Sequence, residues 1–205
     1  MTVHFHKEAH PDVSVPDPHQ DAFSRVTLGF WIYLMTDCLI FCTLFATYAV
    51  LHNSTFGGPT TRDLYSLPIA FSETMVLLCS SVTSGLGLLA ALKRDKNRAV
   101  FWLIFAFLFG ASFIAMELTE FHKIAHEGHD WTHSAFLSSF FTLVGTHGLH
   151  VSIGLTWMSV MILQIFFLGI TIDTFRRLVV FSLFWHFLDL VWIFIFTFVY
   201  LIGVI

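Results

Sequence analysis

Charge is what this chain has least of. Asp, Glu, Lys and Arg make up 12% of its 205 residues, against about 25% in an ordinary soluble domain. The formal net charge is −4 and no long basic run occurs, which argues against nucleic acid as a partner. Cysteine is scarce too. Cys38, Cys42 and Cys79 are the three, and none has the CxxC spacing of a structural metal site or redox pair. Each lies inside an apolar run, so the expectation is buried, inert packing; Cys38 and Cys42 sit one helical turn apart, which leaves a soft-metal pair as the alternative. The start of the chain lacks the short basic segment and apolar core of a signal peptide. Residues 1–26 are instead polar, with His4, His6, His10, His19 and three prolines. They read as a disordered tail whose histidines could hold metal only weakly.

What is abundant is apolar surface: 56% of residues are hydrophobic, 25 of them Phe, and the mean hydropathy is +0.77. A bilayer core needs about 20 apolar residues as helix. Five stretches qualify, at roughly 28–51, 68–92, 99–121, 134–168 and 177–204. The expected fold is all-α, a polytopic bundle of five transmembrane helices over residues 27–205, with short loops, no internal repeat and no soluble domain. The fourth span exceeds what it needs, so tilt or projection beyond the lipid is expected. Lys7, Arg25, Lys93, Arg94, Lys96, Arg98, Arg176 and Arg177 fall on one side of this arrangement, and only Arg62 and Lys123 on the other. Basic residues favour the cytoplasm, which predicts a cytoplasmic N-terminus and a periplasmic C-terminus. Asn53-Ser54-Thr55, in an outer loop, fits a glycosylation pattern that carries little information.

Ionisable residues nevertheless occur in every span: Asp37, Glu73, Glu117 with Glu120, His147 with His150, and His186 with Asp189, while His122 sits at the edge of the third. A charge at a helix centre costs about 2.5–3.5 kcal/mol on the insertion scale. Some of these groups must therefore be neutral, paired or near an interface. Residues three apart share a helix face. Three helices thus each present a polar pair, and the economical arrangement turns these pairs toward one another, with Glu117 or Glu120 hydrogen-bonded to His147 or His150. Ser80, Ser81, Ser84 and Gly85 on the second span and Gly145, Gly148 and Gly154 on the fourth favour close approach. Functional readings compete with this packing network. Histidines on two facing helices can ligate haem. A 2-His-1-carboxylate set can hold iron or copper. A chain of Asp, Glu and His can carry protons. Asp37 stands alone on its helix, either hydrogen-bonded locally or exchanging a proton. Glu73 lies near the outer end of its span and is expected to reach the interface.

Four segments resemble subunit III of the haem-copper oxidases: "GFWIYLMTDCLIFCTLFATYAV", "AMELTEFHKI", "GTHGLHVSIG" and "FWHFLDLVWIFIF". The resemblance runs from about residue 28 to the end. Five helices with a His-rich polar tail, together with "FLSSFFTLVGTHGLHV", are most similar to the cytochrome bo-type, ubiquinol-oxidising branch. The cytochrome c oxidase branch usually has two further helices at the start. The resemblance implies a non-catalytic accessory subunit in a multi-pass bacterial inner-membrane complex that oxidises ubiquinol, reduces oxygen to water and stores energy as a proton gradient. It implies no haem or copper in this chain, since these belong to the catalytic subunit I. It further implies packing on subunit I beside subunit II and a small subunit IV, and phospholipid bound between helices. The family's lipid-cleft carboxylate, linked to proton uptake, would be Asp37, one methylene shorter than the usual Glu. The buried polar positions would be Glu117, Glu120, His147, His150, His186 and Asp189. The competing readings are a cytochrome c oxidase subunit III and, from another class, a proton-coupled transporter, against which the short loops and absence of broken helices argue.

Overall fold

A computed structural model describes residues 18–52, 67–126 and 134–201. His4, His6, His10, Asn53-Ser54-Thr55, Arg62 and the last residues of the expected fifth span lie outside the described residues. Five long helices form: α1 (Pro18–Leu51), α2 (Leu67–Leu92), α3 (Lys96–His126), α4 (Ala135–Leu168) and α5 (Ile172–Ile195), the last running on into a π-helical turn, Phe196–Leu201. All five are long and apolar enough to cross a membrane. Residues 18–26, expected to be part of a disordered tail, are the first turns of α1. The fifth span begins at Ile172 rather than 177, because Thr171 caps it: its hydroxyl accepts from the backbone N–H of Thr174 at 3.2 Å. Ser134 does the same for α4, accepting from Leu137 N–H at 3.1 Å. Such caps satisfy N–H groups that have no partner within the helix.

The turns between helices are equally local in origin. At the end of α2 the N–H of Asp95 bonds Ala90 O at 3.1 Å and the N–H of Arg94 bonds Ala91 O at 3.0 Å. That is the paired Schellman pattern, with its left-handed residue supplied by Arg94 at φ 56°. Asp95 then opens α3, accepting from Arg98 N–H at 3.3 Å. Gly169, at φ 77°, ends α4 in a conformation that side-chain-bearing residues rarely adopt.

Helices α2, α3, α4 and α5 form a closed ring in which each packs on two neighbours, and α1 lies outside it against α4 and α5. Tryptophans spaced seven residues apart on α5 set the layers of the ring. Trp185 fits against Gly110 of α3 and Gly154 of α4, where an added Cβ would come within 3.0 Å and 2.8 Å of its ring. Its Nε1–H donates to Ser80 Oγ on α2 at 3.3 Å, and that hydroxyl donates to Ala106 O on α3 at 2.7 Å. Two turns on, Trp192 donates to Thr74 Oγ1 on α2 at 3.1 Å. It meets the edge of Phe113 on α3 at 4.6 Å between ring centroids and stacks on His147 of α4 at 5.3 Å. Each indole thus touches all three other helices of the ring. Lipid offers no hydrophobic drive for helix association, so packing and interhelical hydrogen bonds of this kind must supply it.

Helix α1 is held by one stripe. Leu34, Asp37, Phe41 and Tyr48 are buried, spaced three, four and seven residues apart, as a single seam requires. Most of the other described side chains of α1 face outward, Cys38 and Cys42 among them. All three cysteines are exposed on the helix surface, which corrects the expectation of buried packing. Each is apolar enough for lipid, so an apolar run alone could not tell core from lipid-facing surface.

Candidate functional site

The six polar positions singled out on α3, α4 and α5, with Asp37, fall into three groups rather than one. The first lies on the seam between α1 and α4. Asp37 is buried, and its Oδ2 lies 3.9 Å from His150 Nε2. The other ring nitrogen of His150, Nδ1, bonds Thr146 O on its own helix at 2.7 Å. A carbonyl can only accept, so Nδ1 carries a hydrogen and Nε2 is the atom left to face the carboxyl. At 3.9 Å the two are beyond direct hydrogen-bond range. Tyr33, one turn before Asp37, stands within reach of the same carboxyl, and Phe41 closes the seam against His150 at 5.3 Å.

The second group lies inside the ring, in the Trp192 layer. Glu117 is buried, and its carboxyl rests on Gly148, where an added Cβ would be 3.1 Å from both Oε1 and Oε2. Glu73 of α2 is wholly buried and within electrostatic reach of Glu117 and Glu120. His147 is wholly buried, between Trp192 at 5.3 Å and Phe113 at 6.0 Å. Glu120 is half-buried, with Lys123 beside it. The expected hydrogen bond from Glu117 or Glu120 to His147 or His150 is not formed: both oxygens of Glu117 and both ring nitrogens of His147 lack a protein hydrogen-bond partner, and His150 turns to Thr146 and Asp37. The reason is helical geometry. Residues three apart differ by about 60° around the axis, which is enough to aim His147 into the ring and His150 at α1.

The expectation that Glu73 reaches the interface is also corrected. The signal for its burial was present in the sequence: Glu73, Leu77, Ser80 and Ser84 form one stripe at helical spacing, and all four are buried.

The third group lies between α5 and α2. His186 is exposed and its Nδ1 bonds Ser182 O at 2.7 Å. Its Nε2 approaches Gly85, where an added Cβ would be 3.8 Å away. Asp189 faces Ser81 and is electrostatically coupled to His186. His186 therefore stands apart from His147 and His150, and the facing-histidine arrangement weighed for haem is not built by these side chains. Among the described residues no group of three or more His, Cys, Asp or Glu is placed to hold a metal ion. Carboxyls and imidazoles are groups that can each hold a proton, and their contacts also fix helix positions.

Comparison with known proteins identifies the family. Residues 14–204 match the family Cytochrome c oxidase subunit III. Among curated relatives, Cytochrome bo(3) ubiquinol oxidase subunit 3 of Pseudomonas aeruginosa is 54% identical over 187 residues, covering 91% of this chain and 90% of the relative. Quinol oxidase subunit 3 of Bacillus subtilis is 42% identical over 195 residues, 95% of this chain and 96% of the relative. Cytochrome c oxidase subunit 3 of Bacillus sp. strain PS3 is 43% identical over 178 residues, 87% of this chain and 86% of the relative. With the five membrane-crossing helices and a match over nearly the whole length, this chain belongs to the cytochrome c oxidase subunit III family.

Proposed function

We propose that this chain is a non-catalytic accessory subunit of a proton-pumping ubiquinol oxidase in a bacterial inner membrane, with its N-terminus cytoplasmic and its C-terminus periplasmic. The observation that carries the reading is near-full-length similarity to relatives named as subunit 3 of quinol oxidases. In this reading haem and copper reside in the partner catalytic subunit I, on which the chain packs beside subunit II and a small subunit IV. The outward faces of α1–α3 suit such packing, being rich in exposed Trp31, Leu39, Phe71, Val82 and Phe101. Phospholipid is the second expected partner. A cavity of about 200 Å³ lined by residues that include Leu92, Arg94, Ile170, Thr171 and Phe175 combines apolar side chains with one basic residue, a composition that suits an anionic lipid. Asp37 and His150 supply the proton-uptake role. The carboxyl and the imidazole face one another at 3.9 Å on the α1–α4 seam, where membrane interiors admit ionisable groups mainly when they have a partner.

A cytochrome c oxidase subunit is the second reading, favoured by the relative from Bacillus sp. strain PS3. Purification through a tag on this chain in mild detergent, a reduced-minus-oxidised spectrum and a quinol-oxidation assay decide between them. The expected result is haem that travels with the complex, quinol oxidation, and no haem on the chain once it is split off. A copper-bearing cytochrome c docking domain among the co-purified subunits would select the second reading. Haem retained on the isolated chain would overturn the accessory role.

A further inference from the structure

The Trp192 layer holds more polar atoms than the protein pairs. Glu73 and His147 have no exposed surface and Glu117 is 5% exposed. Both carboxyl oxygens of each glutamate and both nitrogens of the imidazole make no hydrogen bond to protein. The three groups come from α2, α3 and α4 and lie in one layer. Thr74, next to Glu73, receives the Trp192 N–H. Phe113, one turn before Glu117, meets the edge of His147. Gly148, next to His147, leaves the space that the Glu117 carboxyl fills. Interiors rarely leave polar atoms without partners, and each such group calls for a ligand or another cause.

The chemistry of the unpaired set selects the ligand. Carboxylate oxygens only accept, whereas a neutral imidazole has one donor and one acceptor. A metal cation would satisfy the oxygens and leave the imidazole N–H unpaired. Water both donates and accepts, and a buried water commonly makes about three hydrogen bonds to polar groups of this kind. Two carboxylates facing one another in a membrane interior also repel. The neighbouring cation, Lys123, stands beside Glu120 at the outer edge of the cluster, so a proton is the compensation that fits the space at Glu73 and Glu117. We propose that Glu73, Glu117 and His147 form a buried hydrated site, in which water bridges the two carboxyls and at least one proton is held between them. This site is distinct from the Asp37–His150 pair, which lies about 60° round α4 on the α1 seam with Phe41 touching both histidines, and it does not depend on the identity of the electron donor.

Infrared spectra of the intact complex in H₂O and D₂O test the proposal, comparing wild type with Glu73→Gln, Glu117→Gln, the double variant and Gly148→Ala. The expected spectrum has a protonated-carboxyl C=O band that shifts in D₂O and is lost in the double variant. In each single variant the remaining carboxyl's band moves, because its neighbour across the water is gone. Gly148→Ala keeps both carboxyls but crowds Glu117, so the band moves there too. It also serves as the independent readout should Glu117→Gln fail to assemble. A double variant whose spectrum matches wild type overturns the held proton. Single variants and Gly148→Ala that leave the remaining band in place overturn the shared water. A band that appears in wild type only after chelator treatment overturns both in favour of a cation.

Discussion

At the scale of single residues, the two α5 indoles organise the ring, and their energetics can be measured. The Trp192–Thr74 hydrogen bond joins α5 to α2 at 3.1 Å in a fully buried setting. Interhelical hydrogen bonds in membranes average about 0.6 kcal/mol, less than burial alone would suggest. A double-mutant cycle of Trp192→Phe and Thr74→Val should return a coupling near that value, read from unfolding in mixed detergent micelles. Gly154→Ala should cost more, about 1–3 kcal/mol, since overpacking forces off-rotamer side chains or backbone shifts. The new methyl would stand 2.8 Å from Trp185 Cζ3 and 3.3 Å from Phe184 Cε1, rigid rings with little room to yield. Gly145→Ala is the contrast. The nearest atom to its added Cβ is 3.9 Å away, and stability should hardly change. From the sequence, both glycines lie on one α4 run and carry equal weight. Only the position of a ring from another helix separates them, which is why individual residue roles were less legible than the spans that contain them.

At the scale of elements, α1 differs from the rest. The four ring helices each pack on two neighbours, whereas α1 is fixed by the seam of Leu34, Asp37, Phe41 and Tyr48 and by ring contacts such as Phe30 with Trp157 at 6.1 Å and Tyr48 with Phe136 at 6.2 Å. Phe41 is the centre of this seam, touching His147 at 6.3 Å and His150 at 5.3 Å. Phe41→Ala should therefore loosen α1 while leaving the ring intact. The expected readout is faster proteolysis of α1 and faster hydrogen exchange along it, with α2–α5 protected as before. Uniform loss of protection across all five helices would mean that α1 is part of the ring's own stability. The helices themselves were legible because hydropathy and length report burial in lipid directly. Their pairing was not. The i, i+3 pattern correctly put His147 and His150 on one face, but a helix face spans enough angle to serve two neighbours. Which neighbour each side chain meets depends on α1 lying outside the ring, and nothing in local spacing encodes that.

At the scale of the whole molecule, the distribution of basic residues makes an orientation testable. The turn between α2 and α3 carries Lys93, Arg94, Lys96 and Arg98 within a few residues of both helix ends, the range over which positive charge resists translocation. Arg176 and Arg177 add to the same side in the first turns of α5. The single crossing by α3 then places the connection after it on the opposite face, where Lys123 is the nearby cation. In a chain with Cys38, Cys42 and Cys79 replaced by Ala, a single cysteine introduced as His126→Cys, at an exposed position, should react with a membrane-impermeant maleimide in intact cells. Asn97→Cys should react only after the membrane is opened. The reverse pattern would invert the bundle and, with it, the side from which each buried group could exchange protons. Asp37 and His150 lie near mid-depth on their helices, whereas Glu73, Glu117 and Glu120 lie toward the end that carries the 126–135 connection. With the expected orientation, that end faces the periplasm. The hydrated carboxyl site would then exchange protons more readily with the outside, and Asp37–His150 would be about equally remote from both surfaces. Glu117 in D₂O-washed sealed vesicles should accordingly exchange faster when its end of the bundle faces the medium than when it faces the lumen, and equal rates in the two orientations would remove the link between depth and exchange.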